Sequence, residues 1–184
     1  MKIKIELLSN TVFGSGKSVP GGEDISILLD EAGFPYLKGS TFKGVLREEL
    51  ENLIDWGYWQ ENEAPDVEKL FGKAGEDSED DRLMLTDFTV SNYVRNAVLS
   101  QKDITKEEII NCFTDTYTFT SIENGVAKKG SLRICRYINK GMIFYGEISC
   151  GKKYEEYVRA GLRAVKYMGS MRTRGFGCVK VSEV

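Results

Sequence analysis

Two basic segments bracketed by glycine carry the residue types that hold phosphate. The first is Pro35-Tyr36-Leu37-Lys38-Gly39-Ser40-Thr41-Phe42-Lys43-Gly44-Val45-Leu46-Arg47, a glycine turn leading into a helical pattern. Lys43 falls in the first turn and Arg47 one turn later on the same face. Like charges at that spacing destabilise a helix by roughly a few tenths of a kcal/mol, and Lys43 opposes the positive end of the helix dipole. A phosphate at the helix start reverses both penalties, because backbone N–H groups and cations then converge on one anion. Gly44 is a poor helix former and suggests close approach by another backbone. A solvated basic helix start accounts for the same residues. The second segment, Met168-Gly169-Ser170-Met171-Arg172-Thr173-Arg174-Gly175-Phe176-Gly177, frames Arg172 and Arg174 with three glycines. A helix C-cap followed by a strand explains Gly169, but not the arginines. Glycine amides and two guanidinium groups together suit an anion.

Other chemistries are excluded by composition. The 184 residues contain no histidine, so no histidine-based nucleophile or general base exists. The four cysteines (Cys112, Cys135, Cys150, Cys178) stand singly, without the paired spacing of a zinc site, and are expected to be buried thiols. Gly14-Ser15-Gly16-Lys17-Ser18 imitates the end of a phosphate-binding P-loop. Thr11 stands where its first glycine belongs, and Val19-Pro20-Gly21-Gly22 follows where a helix should begin. The formal charge of −3 hides a segregation of sign. From Ser121 onward there are 13 Lys/Arg against 5 Asp/Glu, and in the preceding residues 12 against 23. A mildly acidic chain can therefore present one basic face to a polyanion.

The elements that must position these residues read as follows. Residues 1–9 alternate as a half-buried strand. Residues 11–33 form a long glycine-rich loop or ragged hairpin, and 40–56 a helix capped by Ser40 or Thr41. Residues 60–82 are an acidic surface insertion with a short helical turn at 67–71. Strands are expected at 82–90, 116–120, 132–138, 142–149 and 175–181, with helices at 104–113 and 154–168. Within the second long helix, Tyr154, Tyr157, Val158, Leu162 and Val165 make an apolar stripe, and Arg159, Arg163 and Lys166 a polar face exposed to solvent. The order predicts one α+β domain over 1–184, ferredoxin-like (RRM-like), with an antiparallel sheet, two helices and inserted hairpin and loop elements. No run is apolar enough to span a membrane and the amino terminus reads directly into a strand, so a cytoplasmic protein is expected.

Four features in order resemble the RAMP superfamily of CRISPR-associated proteins. They are the segment 35–47, Leu70-Phe71-Gly72 ahead of 82–87, Val126-Ala127-Lys128-Lys129-Gly130-Ser131-Leu132-Arg133, and the glycine-rich loop 169–177. Their spacing is most similar to the repeating backbone subunit of type III effector complexes. The resemblance implies a partner set of CRISPR guide RNA, complementary target RNA and other RAMP subunits. It implies RNA contacts from Lys38, Ser40, Lys43, Arg47, Arg172 and Arg174. It also implies a thumb-like hairpin at 120–133, with Lys128, Lys129 and Arg133 as its basic side and Ile122 or Val126 as an apolar wedge. Asp24, six residues before Asp30, matches the position of the family's RNA-cutting aspartate, and a divalent metal ion such as Mg²⁺ would then serve as cofactor. A carboxylate in a loop can position a ribose 2′-hydroxyl for attack on the adjacent phosphate. Glu23 beside it departs from the pattern and can share the role.

Three readings stay open at this level. The chain is an RNA-cleaving scaffold subunit, or a catalytically silent one in which Asp24 is a turn residue, or a ferredoxin-like assembly domain without nucleic acid. Tyr117 and Phe119 suit either base stacking or a strand's core face.

Overall fold

Ile3, Ile5 and Leu7 alternate with Lys2, Lys4 and Glu6, and this period of two puts one face of the first strand wholly in the core: all three apolar side chains are at most 1% exposed. The computed structural model describes residues 1–18, 22–60, 62–72 and 82–184. In chain order its elements are β1 (Lys2–Leu7), β2 (Tyr36–Leu37), α1 (Gly39–Asp55), α2 (Val67–Phe71), β3 (Met84–Leu85), β4 (Phe88–Thr89), α3 (Asn92–Leu99), α4 (Lys106–Phe113), β5 (Thr114–Phe119), β6 (Ile122–Glu123), β7 (Val126–Ala127), β8 (Arg133–Ile138), β9 (Ile143–Ser149), α5 (Glu155–Ala164) and β10 (Val179–Glu183).

The main sheet is ordered β10-β1-β9-β4-β2, with β3 also on β9, and every pairing is antiparallel. Taking β3 and β4 as one interrupted strand, the backbone reads βαββαβ in spatial order 4-1-3-2, the expected ferredoxin-like α+β arrangement. Both α1 and α5 cover the apolar face of the sheet. Phe42 of α1 meets Phe88 of β4 at 4.8 Å. A side-chain carbon on Gly161 of α5 would lie 2.8 Å from Leu46 and 3.0 Å from Leu50, so the absence of one lets the helices close on each other.

Residues 11–18 and 22–35 form the ragged hairpin, with bridges Gly14 to Ile27 and Leu29 to Pro35, and they bury Val12, Phe13, Ile27 and Phe34. From this layer projects an arm: β5 and β8 pair in register from Thr114–Ile138 to Phe119–Arg133, and the β6–β7 hairpin continues it. The arm is anchored by a bridge of Thr11 to Ile138 and another of Ile25 to Cys135.

Several boundaries differ from expectation. The interval 82–90 splits into β3 and β4. The second long helix stops at Ala164, because Val165 turns extended (ψ 108°) and Tyr167 bridges Cys178. The last strand starts only at Val179, since Gly175 and Gly177 lie at positive φ in the preceding loop. A helix that sequence reasoning missed, α3, buries none of its residues fully; Val94 and Val98, one turn apart, are half-buried, and Ser91 caps it through Val94 N–H. Arg95 on α3 pairs with Asp30 and stacks on Phe34, tying this helix to the hairpin layer. Among the cysteines only Cys135 is buried; Cys150 and Cys178 are half-buried and Cys112 is exposed. Burial pushes the Cys135 thiol above its ordinary range, with Glu23 adding to the shift. Most acids of the expected insertion fall at 73–81, outside the described residues. Its two ends are joined where Leu83 N–H donates to the Leu70 carbonyl at 2.9 Å.

Helix α1 begins one residue earlier than expected, and neither Ser40 nor Thr41 caps it. Lys38 holds the cap position without a side-chain bond, and Gly39 N–H instead donates to Asp87 Oδ1 at 2.8 Å. Gly39 sits so close to the β3–β4 link that a Cβ would lie 2.5 Å from the Thr86 carbonyl oxygen, whereas Gly44 has nothing within 4 Å. Gly39→Ala is expected to destabilise the fold by about 1–3 kcal/mol, and Gly44→Ala to stabilise it by about 0.5–1 kcal/mol. Urea denaturation checks both; equal effects would contradict the assigned contacts.

Candidate nucleic-acid interface

The loop joining α5 to β10 is built backbone on backbone. Ser170 N–H donates to the Val12 carbonyl (3.0 Å), Gly177 N–H to the Asn10 carbonyl (2.9 Å) and Met168 N–H to the Gly177 carbonyl (2.9 Å). Gly169 and Gly177 both have φ of 81°. A Cβ at Gly169 would lie 2.4 Å from the Val12 oxygen, and one at Gly177 only 2.1 Å from the Met168 oxygen. Glycine is therefore required at both by conformation and by contact. Between them Arg172–Arg174 make one 3-10 turn, flanked by Met171 and Gly175 in the left-handed region. For a side chain such as Met171 that conformation costs of order 1–3 kcal/mol, a strain the stitched loop imposes.

This turn delivers Arg174 to the arm. The Arg174 guanidinium lies 4.4 Å over the Phe119 ring. Phe176 packs against Tyr117 at 5.8 Å and Tyr137 at 5.6 Å. Arg133 stands opposite Phe119 across the strands, and its Nη1 is 3.5 Å from Asp24 Oδ1. Further out, on the hairpin, Lys128 pairs with Glu123 at 3.4 Å, and Lys129, Ile122 and Val126 are exposed. Arg133 on the arm and Arg174 on the loop, far apart in the chain, thus share one junction with Asp24.

Asp24 is held on the arm like an added strand. Its N–H donates to the Ile134 carbonyl at 2.8 Å, and its Oδ2 accepts the Ile134 N–H at 2.9 Å. Next to it Glu23 accepts from Arg136 Nε at 2.6 Å, while Arg136 Nη1 donates to Thr114 Oγ1. Asp30, the second aspartate of the spacing, serves the architecture. Its Oδ1 accepts the Ala32 and Phe34 amides and its Oδ2 meets Arg95. Among the described residues no cluster of three carboxylates or thiols forms. A divalent ion takes six or more oxygen ligands, so one carboxylate already engaged with an amide and an arginine does not fit a resident metal.

The start of α1 behaves differently from the expectation. Thr41, Val45 and Glu48 line a cleft of about 400 Å³ with Gly14, Gly169 and Arg172, so the two glycine-hinged segments do meet. Lys43 and Arg47, however, lie on the other flank of the helix at about 100° per residue. There Arg47 pairs with Glu51 at 2.8 Å. The amides expected to cradle phosphate are committed, Gly39 to Asp87 and Thr41 and Phe42 to the Lys38 carbonyl. Lys38 and Ser40 are both exposed at the helix start. On the same helix, burial and Glu48 raise the Glu49 carboxyl, and Arg172 partly counters the shift.

The Lys43 ammonium is held below its ordinary 10.5 by burial first, then by Arg82 and Arg47. Sequence reasoning found the Lys43–Arg47 pair but missed Arg82, whose approach is a tertiary fact. A depressed lysine contributes stability that is present above the unfolded value and lost as pH falls through the folded one. Lys43→Met is thus expected to raise the urea midpoint at neutral pH, and the gain should fade as pH nears 10.5. A gain that persists unchanged at high pH would contradict this origin.

Comparisons agree with the architecture. The family model for the RAMP superfamily matches residues 4–180. Two similar solved structures are a type III-B Cmr-beta bound to cognate target RNA and a type III-B Cmr-beta in the apo state. They match at TM-score 0.72 with 14% and 15% identity, covering 98% of this chain and 95% of theirs. Among curated proteins nothing matches. No helix among the described residues is long and apolar enough to cross a membrane. With the family model spanning nearly its whole length, the chain belongs to the RAMP superfamily.

Proposed function

We propose that this chain is an RNA-holding subunit of a type III CRISPR effector complex. The observation that carries the reading is the convergence of Arg174 with Arg133 where the stitched loop meets the arm, with Arg172 on the same turn facing the α1 cleft. Support comes from the family and from a structural neighbour described as bound to cognate target RNA. Guanidinium groups suit phosphate because their forked donors match its oxygens. Lys128 and Lys129 would extend the phosphate track along the hairpin, with Ile122 and Val126 as its apolar tip. Lys38, Ser40, Lys43 and Arg47, with Arg82, would form a second contact on the other side of α1. A strand of phosphates there would offset the burial and, after it, the Arg82 and Arg47 repulsion that together depress Lys43.

Cleavage of bound target RNA is the finer part of the proposal. Asp24 would position the ribose 2′-hydroxyl while Arg133 holds the neighbouring phosphate. The divalent cation expected from the sequence would have to arrive with the RNA phosphates, since among the described residues the site offers Asp24 with only Glu23 beside it, and Glu23 is held by Arg136. A second reading, the silent scaffold, is favoured by the two hydrogen bonds that the Asp24 amide and carboxylate make with the Ile134 backbone, which give the residue a structural use.

Two measurements test these statements. Affinity for single-stranded RNA should fall with salt, with a log–log slope steeper than about −2, the share of three arginine contacts alone, and Arg172→Glu with Arg174→Glu should flatten it. Affinity independent of salt would reject RNA holding and favour a protein-assembly domain. Asp24→Asn keeps the oxygen that accepts Ile134 N–H and removes the charge. In the assembled complex it should leave RNA binding intact and lower cleavage of guide-complementary RNA at least tenfold, as Asp24→Ala should. Undiminished cleavage in Asp24→Asn would leave the silent scaffold as the correct reading.

A further inference from the structure

We propose that Tyr117 and Phe119, with Arg174, form a stacking platform for an unpaired base of single-stranded RNA. This rests on the RNA-holding reading and adds a contact to bases where that reading has only phosphates. Tyr117 and Phe119 leave the same face of β5, with ring centroids 6.2 Å apart and planes within 20°. At that separation near-parallel rings leave most of each other's faces uncovered. Tyr117 is 44% exposed, contrary to a core assignment, and Phe119 is half-buried.

The rings are held, not loose. Tyr117 rests on Phe176, which Tyr137 also contacts, so the aromatic row continues into the glycine loop. The buried Cys135 lies across from Tyr117 in register. A fixed aromatic surface loses little freedom when a flat partner settles on it.

Charge selects the partner. At the Phe119 end stand Arg174 over the ring and Arg133 across the strand, with Asp24 beside Arg133. At the other end Asp115 faces Tyr137, and together with burial it holds that phenol above its ordinary range. A base on Tyr117 would therefore place its phosphate toward the arginines and away from Asp115. An apolar peptide would offer no anion to Arg174, whereas a nucleotide uses the ring faces and that cation together.

The test measures binding of the full chain to two short single-stranded RNAs of equal length, one ordinary and one abasic in its central positions, by fluorescence anisotropy at one salt concentration. Ordinary RNA should bind about tenfold more tightly for each stacked base. Tyr117→Ala should remove that preference and leave abasic affinity unchanged, and Tyr117→Phe should retain it. Equal binding of both RNAs by the unaltered chain would overturn the platform while keeping the phosphate grip. No binding of either would overturn the RNA-holding reading and the platform with it. The comparison in the unaltered chain decides the matter even where Tyr117→Ala fails to fold.

Discussion

The close approach of main chain to main chain around Gly169 and Gly177 is the constraint on which the rest of the site depends. Hydrogen bonds from Ser170 and Gly177 reach Val12 and Asn10, at distances no side chain at either glycine would permit. The loop is thereby fastened to the chain just after β1. The turn that carries Arg172 and Arg174 has little choice of direction, and Met171 takes a strained conformation in consequence. Because residues 11 and 25 also anchor the arm, one short stretch of hairpin sets both loop and arm. Arginines far apart in the chain meet because each is fixed to the same piece of backbone.

Acidic residues shape the electrostatics as much as basic ones. Asp87 occupies the first amide of α1, Asp30 takes Arg95, Glu23 takes Arg136, and Glu51 takes Arg47. These pairs commit charge to architecture and leave Arg172, Arg174 and Lys129 exposed at the loop and the arm. An excess of acid over the whole chain is compatible with a basic surface for this reason. The same pairing moves the α1 start away from an amide cradle, because a carboxylate of the protein already holds the position a phosphate was expected to take.

Local periodicity made the core legible. Phe42, Leu46 and Leu50 announce α1 and are fully buried, and the alternation of β1 survives intact in the fold. Helix α3 was hard to read because it is two turns long and half-buried, leaving only Val94, Val98 and the cap at Ser91 as signals. The loop arginines and the arm lysines were legible as basic residues among glycines. Which flank of α1 Lys43 and Arg47 would take was not, since it depends on where Arg82 arrives after the acidic segment. The exposure of Tyr117 was hidden for a similar reason: an aromatic alternating with threonine has the same pattern on a core strand and on a projecting arm.

The central claim is that RNA lies along the junction of the 169–177 loop and the arm. The most direct measurement is ultraviolet crosslinking of bound single-stranded RNA followed by peptide mapping. The account predicts crosslinks in peptides containing Tyr117–Phe119 and Arg172–Phe176. Crosslinks confined to the open face of the main sheet, around the exposed Tyr145 of β9, would contradict it.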